Sequence, residues 1–154
     1  MGLLSVSERI KKVGLQFSIH EAFDEKRDML IPLKNKMSIR EIRDIGIEWS
    51  SRTKRPVFIN YCISENNHSD AEMNRLKDLF NPSNFNITFS VICSSDENMK
   101  DKGYKEIDKI NRIASSFIDC GYNVRVFDPA GQDDIGGGCG QLWYVQDWMK
   151  KHQI

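Results

Sequence analysis

The chain has 154 residues, of which 40% are hydrophobic and 29% are charged, and its 22 basic and 22 acidic residues cancel. A chain of this length can bury a core of its own, and we interpret residues 1–154 as one structural block. The balanced charge gives no indication of a nucleic-acid or membrane surface, and no apolar run approaches the roughly 20 residues that span a bilayer. Because the first residues lack the pattern of a secretion signal, we expect a soluble cytoplasmic protein.

Apolar runs alternate with amphipathic helical patterns along the chain, an order typical of a parallel sheet covered by helices. A first helical pattern runs over residues 7–13 and is closed by Gly14, and residues 15–19 follow as a buried strand. Ser38 and Glu41 then form a capping-box pattern. They predict a helix whose buried side consists of Ile39, Ile42, Ile45 and Trp49.

The second half of the chain repeats this alternation. Residues 57–63 predict a strand, and Ser69 with Glu72 predicts a second capping box, before a helix that buries Met73, Leu76, Leu79 and Phe80. Residues 85–93 predict a third strand and residues 124–127 a last one. The helix between them has the apolar side Ile107, Ile110, Ala114 and Phe117 and is broken by Gly121. The pattern predicts an α/β fold with an open parallel sheet and helices on one side.

The cysteines are too far apart in the sequence to form a CxxC pair. Their spacing predicts neither a zinc site nor an iron–sulfur cluster, and we assign no metal ligand. Cys62 and Cys93 lie in apolar, strand-like runs and Cys120 ends a helical run, so we interpret these three as small buried side chains.

Cys139 differs from the other cysteines because it lies among glycines, in the sequence DDIGGGCGQL at residues 133–142, directly before a helical pattern. Glycines permit a tight turn and the close approach of a partner, and a helix start favours a thiolate. Cys139 is therefore the first candidate for a reactive group. The local sequence alone is equally typical of a flexible glycine loop with an idle cysteine.

Four segments that occur in the same order carry a resemblance to a known family. They are residues 17–32, which include Ser18, Ile19 and His20, residues 57–61 with the following Ser69 and Asp70, residues 87–92, and residues 131–142. These segments resemble the C-terminal half of the radical S-adenosylmethionine (SAM) adenine methyltransferases. That family methylates C2 of adenosine in ribosomal and transfer RNA, and adenine-C8 resistance enzymes are its relatives.

The resemblance implies half of a radical-SAM-type parallel β/α barrel. It implies that Cys139 first accepts a methyl group and then delivers its carbon to the adenine. Ser18, Ile19 and His20 match positions that line the SAM site, and Cys93 takes the place of an asparagine that contacts the cofactor ribose. SAM and a [4Fe-4S] cluster are the implied cofactors, and ribosomal or transfer RNA is the implied partner.

The family holds its cluster with the three cysteines of a CxxxCxxC loop, and this sequence contains no such loop. We therefore expect a truncated or split radical SAM RNA methyltransferase-like protein that is inactive alone; an N-terminal-half chain is the partner that a split enzyme would need. A non-catalytic interaction module, or the second chain of a split enzyme, is the alternative. A thiol enzyme that uses Cys139 without iron is a third hypothesis.

Overall fold

A computed structural model describes residues 2–64, 66–91 and 107–127. Cys93 and Cys139 lie outside these residues, as does the rest of the 133–142 segment. The described residues form five helices and four strands, in the order α1 (Leu3–Arg9), β1 (Gln16–Ile19), α2 (Asp24–Leu30), α3 (Ile39–Thr53), β2 (Val57–Ile63), α4 (Asp70–Leu79), β3 (Phe85–Val91), α5 (Ile107–Ile118) and β4 (Val124–Phe127). Within this part of the chain, no helix has the length and apolar character needed to cross a bilayer.

The four strands form one parallel sheet in the order β1-β2-β3-β4, which is also their order in the chain. One row across the sheet shows the register: Phe17 pairs with Ile59, Ile59 with Ile87, and Ile87 with Val124. In the described residues, β1 has no strand on its outer side. The predicted α/β class and open parallel sheet are confirmed.

One face of the sheet carries the core. Side chains alternate along a strand, and every second residue of β2 and β3 is fully buried, namely Val57, Ile59, Tyr61, Ile63, Phe85, Ile87 and Phe89. Phe117 of α5 packs its ring edge-on against Phe89, with the ring centres 5.1 Å apart. Phe80, which follows α4, packs in the same way against Phe85 at 5.1 Å. The sheet is therefore covered by helices on this face.

Both predicted capping boxes form. The main-chain N–H of Ser38 donates to the Glu41 carboxylate at 2.7 Å, and the N–H of Glu41 donates to the Ser38 hydroxyl at 3.2 Å. Ser69 and Glu72 make the same pair of hydrogen bonds, at 2.8 and 3.4 Å. A cap of this kind stabilises a helix by about 1 kcal/mol, so the starts of α3 and α4 are fixed by local sequence.

The predicted buried side of α3 is wrong at Ile45, which is 42% exposed. With 3.6 residues per turn, residues 39, 42, 46 and 49 fall within a stripe of about 80°, and residue 45 lies outside it. Gly46 takes the place facing the sheet, where an added Cβ would lie 2.5 Å from Cε1 of Phe85. Because a glycine and not an isoleucine faces the sheet at this point, α3 lies closer to β3 than the predicted row of isoleucines would allow.

The first helix ends at Arg9, before the predicted end at residue 13. The Arg55 guanidinium donates to the main-chain carbonyls of Ser7, Lys11 and Val13, with 2.5 Å to Ser7 and 2.6 Å to Val13. The carbonyls of Lys11 and Val13 are thereby held in the connection to β1, which contains a turn in which the N–H of Val13 donates to the carbonyl of Ile10 at 3.1 Å. A contact with a residue more than 40 positions away thus overrides the local helical pattern.

Candidate functional site

The face of the sheet opposite the helices carries polar and aromatic side chains. Ser18, Asn60, Thr88 and Arg125 are paired in register and form one row across the four strands. Phe58 and Phe127, on the same face, are each 40% exposed. We call this surface the open face. Parallel α/β sheets bind ligands at the carboxyl ends of their strands, so the carboxyl end of the open face is the candidate site.

Ser90 links two residues of the open face. Its hydroxyl donates to Oδ1 of Asn60 at 3.0 Å and lies 3.6 Å from Sγ of Cys62. Cys62 is half-buried and is a free thiol. It therefore lies on the open face, not in the apolar core that the strand-like sequence around it predicts. Cys120, predicted to be buried at the end of a helix, is also a free thiol and is exposed because it follows the last turn of α5.

Two of the predicted cofactor-binding residues lie together at the carboxyl end of β1. Ser18 is exposed on the open face, and His20 follows the strand directly. Nδ1 of His20 is buried and has no hydrogen-bond partner among the described residues. An unpaired buried nitrogen costs about 1–3 kcal/mol. A polar group of a ligand would satisfy it, so Ser18 and His20 fit a polar cofactor such as SAM.

Ile19, the third predicted residue of this segment, is fully buried in the core under the helices. Its side chain belongs to the face of the sheet opposite Ser18, since neighbouring side chains in a strand point to opposite faces. Only the main chain of Ile19 is therefore placed to meet a ligand on the open face. Cys93 and Cys139 lie outside the described residues, so their predicted roles stay predictions.

Asn67 joins the carboxyl ends of β1 and β2. It is 1% exposed, and its side-chain amide donates to the main-chain carbonyls of His20 and Cys62, both at 2.8 Å. Its Oδ1 accepts the N–H of Ser64 at 2.7 Å, and its main-chain carbonyl accepts the hydroxyl of Tyr61 at 2.6 Å. Its partners come from two strands and a loop, so no local sequence signal could have identified this residue.

A charged cluster lies beside this junction. The carboxylate of Glu72 accepts hydrogen bonds from Lys26 and from Ser69. Burial opposes its ionisation, but these hydrogen bonds outweigh burial and hold the pKa of Glu72 below its ordinary value. The hydrogen bond to Glu72 likewise raises the pKa of Lys26.

Glu21 is the second carboxyl group of the cluster, and it is also buried. Its Oε2 has no hydrogen-bond partner in the described residues. Burial raises the pKa of Glu21, Lys26 opposes this effect, and the negative charge of Glu72 adds to it. The charge of Lys26 therefore acts on both carboxyl groups, but Lys26 forms its hydrogen bond with Glu72.

In the part of the chain that the structure describes, no three His, Cys, Asp or Glu side chains are close enough together to hold a metal ion. These residues do not fit an iron–sulfur cluster, which needs several thiolate ligands. Among the described residues, the candidate site thus has polar groups at the end of β1 and no set of thiolates that could hold a cluster.

The four-stranded parallel sheet with its flanking helices places the chain in the class of parallel β/α folds. A crystal structure of a radical SAM methyltransferase from Sphaerobacter thermophilus matches with a TM-score of 0.68 and 24% sequence identity, over 91% of this chain and 42% of that chain. The match establishes the half-barrel arrangement of strands and helices.

The chain is also similar in sequence to part of several RNA methyltransferases. The chain is 32% identical over 141 residues to a probable dual-specificity RNA methyltransferase RlmN from Pseudothermotoga lettingae, covering 91% of this chain and 40% of that protein. It is 26% identical over 151 residues to the ribosomal RNA large subunit methyltransferase Cfr from Bacillus velezensis, covering 92% and 42%. No family model matches the chain. The predicted resemblance is confirmed: the chain matches the C-terminal part of RlmN and Cfr radical SAM methyltransferases and spans about 40% of their length.

Proposed function

We propose that this chain forms the C-terminal part of the SAM-binding barrel of an RNA adenine methyltransferase and is inactive without the polypeptide that carries the cluster cysteines. The observation that carries the proposal is the buried Nδ1 of His20, which has no hydrogen-bond partner among the described residues. His20 directly follows β1, two positions after the exposed Ser18. The names of the relatives RlmN and Cfr support RNA as the substrate, and we propose the cytoplasm as the location.

When it is bound, SAM supplies an electrophilic methyl group. We assign Ser18 and His20 to hydrogen bonds with the polar part of the cofactor, Ile19 to a main-chain contact and Cys93 to the ribose. Asn67 holds the carbonyl of His20 at 2.8 Å and thereby fixes the turn after β1. Asn67 is a positioning residue in this scheme because it acts through His20.

Cys139 is the proposed methyl acceptor. Its thiol would lose a proton so that the thiolate could accept the methyl group that bound SAM would supply. The glycines on both sides of Cys139 allow a loop to approach a bound cofactor closely. A Cys139→Ser variant would abolish this transfer, since a serine hydroxyl stays protonated at neutral pH.

The 154 residues contain no CxxxCxxC motif, so this stretch supplies none of the three cluster cysteines. We propose that an N-terminal-half polypeptide supplies them. The purified chain should be incubated anaerobically with iron and sulfide, and we expect neither the visible absorbance of a [4Fe-4S] centre nor cleavage of SAM. A chain that assembles a cluster and cleaves SAM alone would contradict the proposal.

The positive test is complementation. The chain should be co-expressed with the N-terminal 60% of the Pseudothermotoga lettingae RlmN, the part that it does not align with. We expect a methylated Cys139 by mass spectrometry and methylated adenosine in RNA. Cys139→Ser in the same assembly is the matched control, and methylated RNA from that variant would overturn the assigned role.

A non-catalytic interaction module is the second candidate function. It is supported by β1, which pairs only with β2 in the described residues, because an unpaired strand edge tends to recruit another strand. Such a module would bind its partner equally well with Cys139→Ser and would give no methylated RNA in the complementation assay. A monomer that co-purifies with no partner would contradict this candidate.

A further inference from the structure

Basic side chains are concentrated at the amino end of the sheet, opposite the candidate site. Segments 8–13 and 48–55 contain six of the chain's 22 basic residues and two of its 22 acidic ones, a net charge of +4, so the rest of the chain carries −4. We call these six residues the amino-end patch: Arg9, Lys11, Lys12, Arg52, Lys54 and Arg55. The neutral total charge of the chain therefore conceals a local excess of positive charge.

The fold brings the two segments together. Arg52 donates from Nε and Nη2 to the carboxylate of Glu8 at 2.8 and 3.0 Å. Arg55 donates to the carbonyls of Ser7, Lys11 and Val13. Carbonyl groups do not neutralise a guanidinium, so the charge of Arg55 persists.

The acidic residues of the two segments leave most of this charge uncompensated. Glu8 and Glu48 both pair with Arg52, at 2.8 and 3.5 Å. Lys11, Lys12 and Lys54 are exposed, and their ammonium groups make no hydrogen bond or ion pair with a described residue. Three cations therefore have no described counter-charge, in addition to Arg55, whose described hydrogen bonds are all to carbonyl groups.

The amino-end patch suits a polyanion that is larger than a cofactor. Exposed cations that are fixed on a rigid frame bind phosphate backbones by releasing condensed counterions. Segments 8–13 and 48–55 expose little apolar surface, and Ile10 makes their largest apolar contribution at 49% exposure. A helix that inserts into a membrane needs a wide apolar face, so the phosphate backbone of RNA fits the patch better than a lipid surface does.

We propose that the amino-end patch binds the phosphate backbone of RNA, outside the region that reaches the methyl-transfer site. The inference rests on the proposed function for the choice of RNA. β2 spans seven residues, which places the patch roughly 23 Å from the carboxyl end of the sheet. The contacted phosphates therefore belong to a part of the RNA distant from the target base, and they contribute affinity without base recognition.

The test measures binding of the full chain to a fluorescently labelled RNA stem-loop between about 50 and 200 mM salt. The variant Lys11→Ala/Lys12→Ala/Lys54→Ala removes the three free cations and leaves the described hydrogen bonds intact. We expect affinity to fall about tenfold, and the slope of log affinity against log salt to flatten by about 2, because each phosphate contact contributes about 0.7 to 0.9.

The matched control is Arg75→Ala/Lys109→Ala/Arg112→Ala, which removes three positive charges from α4 and α5. It should keep the wild-type affinity and slope. An equal loss in both triple variants, an unchanged slope in the first, or no RNA binding by the wild-type chain would overturn the inference. Preferential binding to phosphatidylserine vesicles would do so too.

These measurements need no SAM, iron or partner chain, so they separate this inference from the proposed function. If the proposed function fails, the complementation assay gives no methylated RNA while binding of the stem-loop persists. If this inference fails, the patch variant binds RNA as the wild type does. Circular dichroism of the two triple variants should match that of the wild type, since all three patch lysines are exposed.

Discussion

The ring of Phe85 occupies the space that a side chain at Gly46 would need: a Cβ there would lie 2.5 Å from Cε1 and 2.8 Å from Cζ of that ring. The ring is fully buried and packs against Phe80 at 5.1 Å, so it cannot move aside without opening the core. α3 therefore approaches β3 at a glycine.

We expect Gly46→Ala to destabilise the protein by about 1–3 kcal/mol through overpacking, despite a gain of up to about 1 kcal/mol in helix propensity. Urea unfolding followed by circular dichroism measures the difference. Gly14→Ala is the matched control, because nothing lies within 4 Å of a Cβ at that position. If the two variants were equally stable, the close approach of α3 and β3 would be wrong.

Asn67→Ala should loosen the candidate site. The change leaves the carbonyls of His20 and Cys62 and the N–H of Ser64 without their buried partner. Since each lost buried partner costs about 1–3 kcal/mol and water can replace some, we expect a loss of at least about 2 kcal/mol and a shifted His20 ring signal in NMR spectra. Asn66→Ala is the control, because Asn66 is exposed and its described hydrogen bonds involve only its main chain.

Parts of this architecture can be predicted from short sequence windows and parts cannot. Ser38 with Glu41 and Ser69 with Glu72 cap their helices as predicted because both partners lie within one turn. The exposed Ile45 could not be predicted, since it depends on Phe85, which lies 40 positions away in the sequence. The same holds for the early end of α1, where Arg55 holds carbonyls of the following segment.

The candidate site shows a similar division. Ser18 and His20 were predicted through a family resemblance, and the structure places them at the carboxyl end of β1. Asn67 has no local signature because its partners belong to the residue after β1, to β2 and to the loop after β2. The amino-end patch was also hidden, since total charge averages a local +4 with −4 elsewhere.

The two carboxyl groups near Lys26 should respond to pH with opposite signs. The pKa of Glu72 is lowered in the folded protein, so its stabilisation is present above the unfolded pKa and is lost as the pH falls through the lowered value. The pKa of Glu21 is raised, so its contribution is fully present below the unfolded pKa and is lost as the pH rises through the raised value.

We therefore expect Glu72→Gln to destabilise the protein at pH 7 by about 1–2 kcal/mol, since a buried carboxylate loses its ionic hydrogen bond. Glu21→Gln should stabilise it at pH 7, by up to about 1 kcal/mol, because it removes a buried carboxylate whose Oε2 has no hydrogen-bond partner among the described residues. Denaturant unfolding at a series of pH values measures both differences. The effect of Glu21→Gln should shrink as the pH falls through its raised pKa towards the ordinary glutamate value of about 4, whereas the effect of Glu72→Gln should disappear only as the pH falls further, through its lowered pKa. A stabilising Glu72→Gln or a destabilising Glu21→Gln at pH 7 would contradict the assignment of Lys26 to Glu72.

Neighbouring residues of β1 should separate binding from stability. Ile19 is fully buried and Ser18 is exposed on the open face. Ile19→Ala should lower the free energy of unfolding by about 2–5 kcal/mol because it leaves a cavity in the core, whereas Ser18→Ala should change it by less than about 0.5 kcal/mol.

In the assembly with the RlmN N-terminal part, Ser18→Ala should weaken SAM binding by about tenfold, the effect of one lost hydrogen bond. Denaturant unfolding and equilibrium dialysis with labelled SAM measure the two effects. Wild-type SAM binding by Ser18→Ala would remove the hydroxyl from the proposed site, and an undiminished stability of Ile19→Ala would place that side chain outside the core.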